Sequence, residues 1–305
     1  MSSCGVLVVA GTHGNEVNAP WLLQQWHANP DLINAAGLAV QKVIGNPEAL
    51  RRRCRYVDRD LNRCFLPEQL EQGAPGLEFQ RAGELLRLHG PTGEQPCAVA
   101  IDLHSTTAAM GNGLVLYSRR PADLALAAAC QSQLGLPIYL HEEDAEQTGF
   151  MAQAWPCGLA LEVGPVPQGV LCPRICRQSE LGLAALLDAL EAAAAGRLRL
   201  RQPLVIHAHL DSVDFPRDQH GAPAASLHPE RLRGDWRPLP SGAPLFSHPD
   251  GSTSHFNGHP SGEVHTVFSN KAAYQEKGIA VSLTRREVLV PQQSWVDALE
   301  QVLGR

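Results

Sequence analysis

Five short apolar runs, at residues 6–10, 38–44, 98–103, 114–117 and 159–163, punctuate the first two thirds of the chain, with helical patterns between them. Such an alternation leaves few options, because a run this short must pair with others into a sheet and have its faces covered by helices. Residues 15–26 carry Val17, Ala19, Leu22, Leu23 and Trp26 at helical spacing, and residues 181–195 are rich in alanine and leucine with few breakers; both are expected as helices. The second stops at Gly196 and gives way to a basic stretch and then to a run of period two over 204–213. At 305 residues the chain is longer than the ~250 at which a single core usually stops growing. The expectation is an α/β domain over residues 1–196 and a smaller, mainly β domain over 197–305, where glycine and proline break up short strand-like runs, as in LPSGAPLF.

Charge narrows the partners. A formal net charge of −6 gives no reason to attract nucleic acid or an anionic membrane. The opening apolar run has no basic residue before it, and no stretch reaches the ~18 apolar residues of a membrane span, so a cytoplasmic protein is expected. Eight cysteines are scattered with no CxxC pair, which suits free thiols in a reducing compartment better than a disulfide framework.

The first apolar run leads directly into GTHGNE, where Gly11 and Gly14 permit a tight turn. His13 and Glu16 thus fall at the carboxyl end of a strand, where α/β sheets place their ligands. A second run, AVAIDLHS, brings His104 to a similar position. Two imidazoles and one carboxylate match an open catalytic zinc set. An isolated His-x-x-Glu pair is weak evidence, but it gains weight from the glycine turn and from the second strand ending in DLH.

Between these runs, CRYVDRDLNRCF gathers Arg55, Asp58, Arg59, Asp60, Asn62 and Arg63 without helical or strand periodicity. It reads equally as a solvated charged loop and as a carboxylate-binding segment whose guanidinium forks match two oxygens, with an aspartate available to orient a liganding histidine. Glu162 lies in the apolar run LALEVGP, where a carboxylate is costly to bury unless it is paired or used. As a functional group it would be a general base.

Taken in order, GTHGNE, RYVDRDLNR, DLHSTT and LEVGP resemble the aspartoacylase and aminoacylase-3 branch of the zinc carboxypeptidase-like superfamily, and VDFPRDQHG and NKAAYQEK extend the resemblance into the C-terminal part. The resemblance implies a zinc carboxypeptidase-like mixed central sheet flanked by helices, its cleft narrowed by the C-terminal domain so that acylated single amino acids are favoured. It implies one zinc ion per chain on His13, Glu16 and His104, with Asp60 behind a liganding histidine. Arg55 would polarise the scissile carbonyl, Asn62 and Arg63 would clamp a carboxylate, Glu162 would act as acid and base, and Tyr274 would reach the substrate from the second domain. The implied partner is a small acylated amino acid, N-acetyl-L-aspartate first, and related enzymes suggest a homo-oligomer.

Two departures stand out. Ser105 replaces the asparagine of the family's DLHNTT. The stretch YLHEEDAEQTGFMAQAWPCG holds no lysine or arginine where aspartoacylases carry a side-chain-binding arginine, so Arg119, Arg120 or Arg174 would have to come in from elsewhere. Deacylation of N-succinylglutamate or of N-acetyl aromatic amino acids, a metallocarboxypeptidase, and a non-catalytic zinc-binding module stay open beside the first reading. His207 and His209 alternate on one strand face and His248, His255, His259 and His265 lie in turn-rich sequence; exposed polar residues are expected there rather than a second metal site.

Overall fold

The computed structural model describes residues 5–35, 37–142, 144 and 147–304; Met1–Cys4 and, in the acidic stretch before Glu162, Glu143, Ala145 and Glu146 lie outside them. Nine strands form one sheet in the order β11 (His265–Val267), β12 (Val281–Leu289), β7 (Leu204–Val213), β5 (Ile138–Leu140), β4 (Asn112–Leu116), β6 (Cys157–Val163), β3 (Cys97–Ser105), β1 (Gly5–Ala10) and β2 (Val40–Ile44). β2, β1, β3 and β6 run parallel, β4 runs antiparallel to β6, and the β7, β12 and β11 edge is antiparallel. A separate antiparallel sheet holds β8 (Ser226–Leu227), β9 (Pro244–Ser247) and β10 (Thr253–His255). The helices are α1 (Asn18–Ala28), α2 (Pro47–Arg52), α3 (Pro67–Glu71), α4 (Leu77–His89), α5 (Pro121–Leu134), α6 (Pro173–Ala194) and α7 (Gln293–Val302). This is the mixed α/β architecture with a β-rich C-terminal part that the sequence suggests.

The central strands are buried on both faces. Val6, Val8, Val99, Ile101, Leu159 and Leu161 point to one face, into a core shared with α1, α5, α6 and α7, while Leu7, Val9 and Ala100 pack with Phe79, Ala82 and Leu85 of α4 on the other. Period-two alternation therefore puts Asp102 and His104 of β3, like Ala100, on the α4 side. Register completes the placement: His104 lies opposite Glu162 in the parallel β3–β6 pair, and Ala10, just before the GTHGNE turn, lies opposite Leu103.

Three details differ from expectation. The first helix starts at Asn18 rather than residue 15, because His13 to Val17 stay in a turn closed by the Glu16 amide on the His13 carbonyl at 3.1 Å. α6 begins at Pro173, two turns earlier than the alanine-rich segment, with proline at its first position, where no amide partner is needed. The sheet also runs past position 197: β7 pairs in parallel with the three-residue strand β5, and α7 returns Trp295, Val296 and Leu299 to the main core.

Candidate metal centre and active site

The turn after β1 depends on two glycines. Gly11 has φ of +69°, and a Cβ on Gly14 would lie 2.0 Å from the Ala49 carbonyl carbon in α2. With that approach open, Glu16 Oε1 lies 2.8 Å from His13 Nδ1 and Glu16 Oε2 lies 3.1 Å from His104 Nδ1. One ligand atom from each of the three side chains falls within 4.8 Å of the others, and all three residues are buried.

Both imidazoles are gripped by their far nitrogens. His13 Nε2 lies 2.9 Å from Asp60 Oδ1, and His104 Nε2 lies 2.6 Å from Asp102 Oδ2, whose other oxygen accepts the Thr12 hydroxyl at 2.7 Å. Both Nδ1 atoms thus turn towards the Glu16 carboxylate, the arrangement in which carboxylates orient histidine ligands. Burial alone would raise the Glu16 carboxyl, but His13 and His104 hold it well below the ordinary range. Burial also disfavours a charged His104, yet Asp102 and Glu16 raise it well above the usual imidazole value. A group with this donor set, charge balance and orientation fits a divalent metal ion. Among the described residues it is the only such cluster.

The polar loop before α3 supplies the next ring of groups. Glu78, fully buried in the first turn of α4, accepts the amides of Val57, Asp58 and Arg59 at 2.7, 3.1 and 3.3 Å and the Asn46 side chain at 2.9 Å. Arg55, so anchored, donates Nη2 to Asp60 Oδ2 at 2.9 Å, while its Nε and Nη1 make no hydrogen bond. Burial raises Asp60, but His13 and Arg55 outweigh it and keep the carboxylate charged. Asn62 uses its side-chain oxygen to accept the Met151 amide at 2.8 Å. Arg63 lies over the Phe150 ring at 4.1 Å and donates to Gln147 Oε1 at 2.8 Å.

These groups share one cavity. His13, Arg55, Asn62, Arg63, His104, Glu162 and Tyr274 line it together with Val115, Tyr117, Tyr139, His141, Phe150, Phe268 and Lys271. Its free volume is ≈ 30 Å³. Arg63 is also part of the wall of an open vestibule of ≈ 810 Å³, which Gln147 and Lys277 help to form. Burial, with Arg63 beside it, pulls the Lys277 ammonium down to about 7.

His13, Glu16, Arg55, Asp60, Asn62, Arg63, His104, Glu162 and Tyr274 are therefore brought together, whereas Asp58 and Arg59 of the polar loop are exposed, Asp58 accepting the Leu77 amide and Arg59 lying over the Phe79 ring, and the three arginines considered as substitutes lie elsewhere. Arg119 is engaged by Glu142 and Glu287, Arg120 by Asp123 and the Trp155 carbonyl, and Arg174 by Gln178 and the Pro165 carbonyl. Asp102, Glu78, His141 and Lys271 went unread. Asp102 could have been found, since a carboxylate two residues before His104 in an apolar strand shares its face. His207 and His265 are not exposed loop residues: both are buried, with rings 5.1 Å apart beside Trp236, and His209 lies against Tyr139 and His141.

Comparison with known proteins places this geometry. Residues 4–190 match the succinylglutamate desuccinylase/aspartoacylase catalytic domain, and residues 202–286 match the AstE/AspA barrel-sandwich hybrid domain. A probable aspartoacylase of Synechococcus sp. (strain CC9605) is 68% identical, covering 100% of this chain and 99% of that one. One from Prochlorococcus marinus (strain MIT 9313) is 52% identical, covering 99% of each. The crystal structure of murine aminoacylase 3 aligns with a TM-score of 0.84 at 33% identity, covering 95% of this chain and 98% of that one. A succinylglutamate desuccinylase from Chromobacterium violaceum shares the fold at 17% identity and a TM-score of 0.58, covering 95% of this chain and 86% of that one. Fold and site together define a hydrolytic enzyme with a candidate His–Glu–His metal centre. The chain belongs to the succinylglutamate desuccinylase/aspartoacylase family, hydrolytic enzymes that act on N-acyl amino acids.

Proposed function

We propose that this enzyme hydrolyses N-acylated amino acids, with N-acetyl-L-aspartate the first candidate, using one zinc ion per chain on His13, Glu16 and His104. The observation that carries the reading is that the cavity lined by His13 and His104 also contains two groups of opposite kind that make no hydrogen bond among the described residues, Glu162 Oε2 and Arg55 Nη1, the latter ion-paired with Glu16 Oε1 at 3.6 Å. Zinc held there supplies a Lewis acid and lowers the pKa of the attacking water. Glu162 takes the proton as that water adds to the acyl carbon. Arg55 Nη1 donates to the carbonyl oxygen as negative charge develops on it, a form of help that grows towards the transition state. The C–N bond then breaks and Glu162 returns the proton to the leaving nitrogen, so the products are a carboxylate and a free amino acid. Asn62 and Arg63 hold the amino acid's carboxylate, and Tyr274 bounds the substrate from the C-terminal side.

In this reading residues 1–196 form the zinc-binding domain and residues 197–305 narrow the cleft by contributing Lys271 and Tyr274. It needs no partner beyond the small substrate. A cytoplasmic setting is part of the proposal, supported by free thiols at Cys54, Cys64, Cys130, Cys157, Cys172 and Cys176 and by the lack, among the described residues, of a helix long and apolar enough to cross a membrane.

The names of the Synechococcus and Prochlorococcus relatives favour aspartate. A second reading, an N-acetyl aromatic amino acid, is favoured by the wall itself: Tyr117, Tyr139, Phe150 and Phe268 line the cavity, and its only arginines among the described residues are Arg55 and Arg63. The test is amine release by zinc-loaded protein from N-acetyl-L-aspartate, N-acetyl-L-phenylalanine and N-succinyl-L-glutamate. The parent is expected to turn over at least one of them. Glu162→Gln should keep its zinc and lose about 100-fold or more in kcat. Silence on all three substrates, or a Glu162→Gln variant running at the parent rate, rejects the proposal.

A further inference from the structure

Among the described residues a single group, from far along the chain, donates a hydrogen bond to the Glu162 carboxylate. Lys271 Nζ donates to Glu162 Oε1 at 2.7 Å, with both side chains less than a tenth exposed, and Oε2 makes no hydrogen bond. Lysines usually run their ammonium out to water. This one is turned inward, 4.2 Å from the centre of the Phe268 ring and 5.1 Å from that of Tyr274. Two ring faces and one carboxylate oxygen fix where it sits.

The turn that aims it is built for the purpose. Phe268 and Asn270 have φ of +57° and +54°, the left-handed region that non-glycine residues seldom occupy. Such a conformation persists only when its surroundings over-determine it. Here Asp235 accepts the Ser269 amide at 3.0 Å, and the Ala272 amide donates to Thr107 Oγ1 at 2.8 Å, just past the end of β3. The turn that carries Lys271 is thus tied directly to the segment that follows His104. Stability alone does not call for this ion pair, since an apolar pair of similar volume would do as well or better.

We propose that Lys271 is a positioning residue for the hydrolysis: by tying up Oε1 it fixes the Glu162 carboxylate so that Oε2 alone meets the reacting water and the leaving nitrogen. The inference rests on Glu162 being the proton-moving group. Its consequence is that Lys271 should affect turnover through Glu162 and leave substrate affinity almost alone.

The test is a double-mutant cycle on the zinc-loaded enzyme, using Lys271→Met, Glu162→Gln, the double variant and Lys271→Arg, with kcat, KM and zinc content measured for each. Lys271→Met is expected to lower kcat about 30-fold with KM changed less than about 2-fold and zinc retained, and Lys271→Arg to recover most of the loss. In the Glu162→Gln background the same Lys271→Met change should cost less than about 3-fold, because the group it positions is gone. A parent-like kcat in Lys271→Met, a loss that falls on KM, or an equal loss in both backgrounds would overturn the proposal. Glu162→Gln at the parent rate would instead reject the reading of Glu162, a separate outcome. Lys271→Met leaves a buried carboxylate uncompensated and can fail to fold. In that event Lys271→Arg and the double variant decide: the first is expected within about 5-fold of the parent kcat and the second within about 3-fold of Glu162→Gln, and a larger loss in either overturns the proposal.

Discussion

Asp102 and Asp60 hold the two imidazoles of the candidate metal centre from behind, at 2.6 and 2.9 Å, so each decides which way a ring nitrogen points. An asparagine at position 102 keeps the shape but replaces a charged acceptor with a neutral amide, and the Thr12 hydroxyl would compete for its one oxygen. Asp102→Asn is therefore expected to weaken zinc binding about 10- to 100-fold, the usual cost of losing such a partner, as measured by competition with a chromophoric chelator. An unchanged affinity would mean that the His104 ring is held by packing alone. Glu162 was legible in the sequence because it interrupts an apolar run, His104 because it falls at the end of one, and His13 and Glu16 because they follow another in a glycine turn. His141 carried no such mark: its place in the cavity follows from β5, only three residues long.

At the scale of elements, the polar loop from Arg55 to Arg63 has little regular structure of its own and takes its shape from a carboxylate on α4. Glu78 satisfies three successive backbone amides and the Asn46 side chain, donors that would otherwise be buried without partners. Glu78→Ala is expected to cost about 3 kcal/mol or more of stability. It should also lower kcat/KM by releasing Arg55 and Asp60, although residue 78 touches neither zinc ligands nor substrate. Urea unfolding and steady-state kinetics on the same preparation check both halves, and a stable variant with parent-like kcat/KM would show that the loop holds its shape unaided. The GTHGNE turn makes the converse point. Gly14→Ala would push a methyl group into the Ala49 carbonyl, so α2 or the turn must move. The expected result is loss of zinc binding, read by metal content after gel filtration.

For the whole molecule, burial of histidines sets the response to acid. Burial, aided by the nearby His209, lowers His141 to about 4, and burial, aided by His265, lowers His207 to about 4, against an ordinary value of 6.5. The folded protein thus keeps both rings neutral. Between pH 6.5 and 4 the unfolded chain binds more protons at these sites than the folded one, so stability rises with pH across that window. The contribution is complete above about pH 6.5 and falls away towards pH 4, on the order of 3 kcal/mol for each histidine. Urea midpoints from pH 4 to 7.5 should show this slope, and His207→Gln should make it shallower; an unchanged slope would show that His207 does not contribute to it.

The sequence by itself determined the layered α/β build, the strand-end position of His13, Glu16 and His104, and the family resemblance. Those features are local, arising from side-chain period, from glycines where the turn needs them, and from motifs in fixed order. Tertiary structure alone decided that Glu162 lies opposite His104, that strands from both sides of residue 197 share one sheet, and that Lys271 reaches a carboxylate 109 positions earlier in the chain. Strand register and a strained turn held by distant partners govern these, and neither leaves a periodic trace in the residues that depend on them.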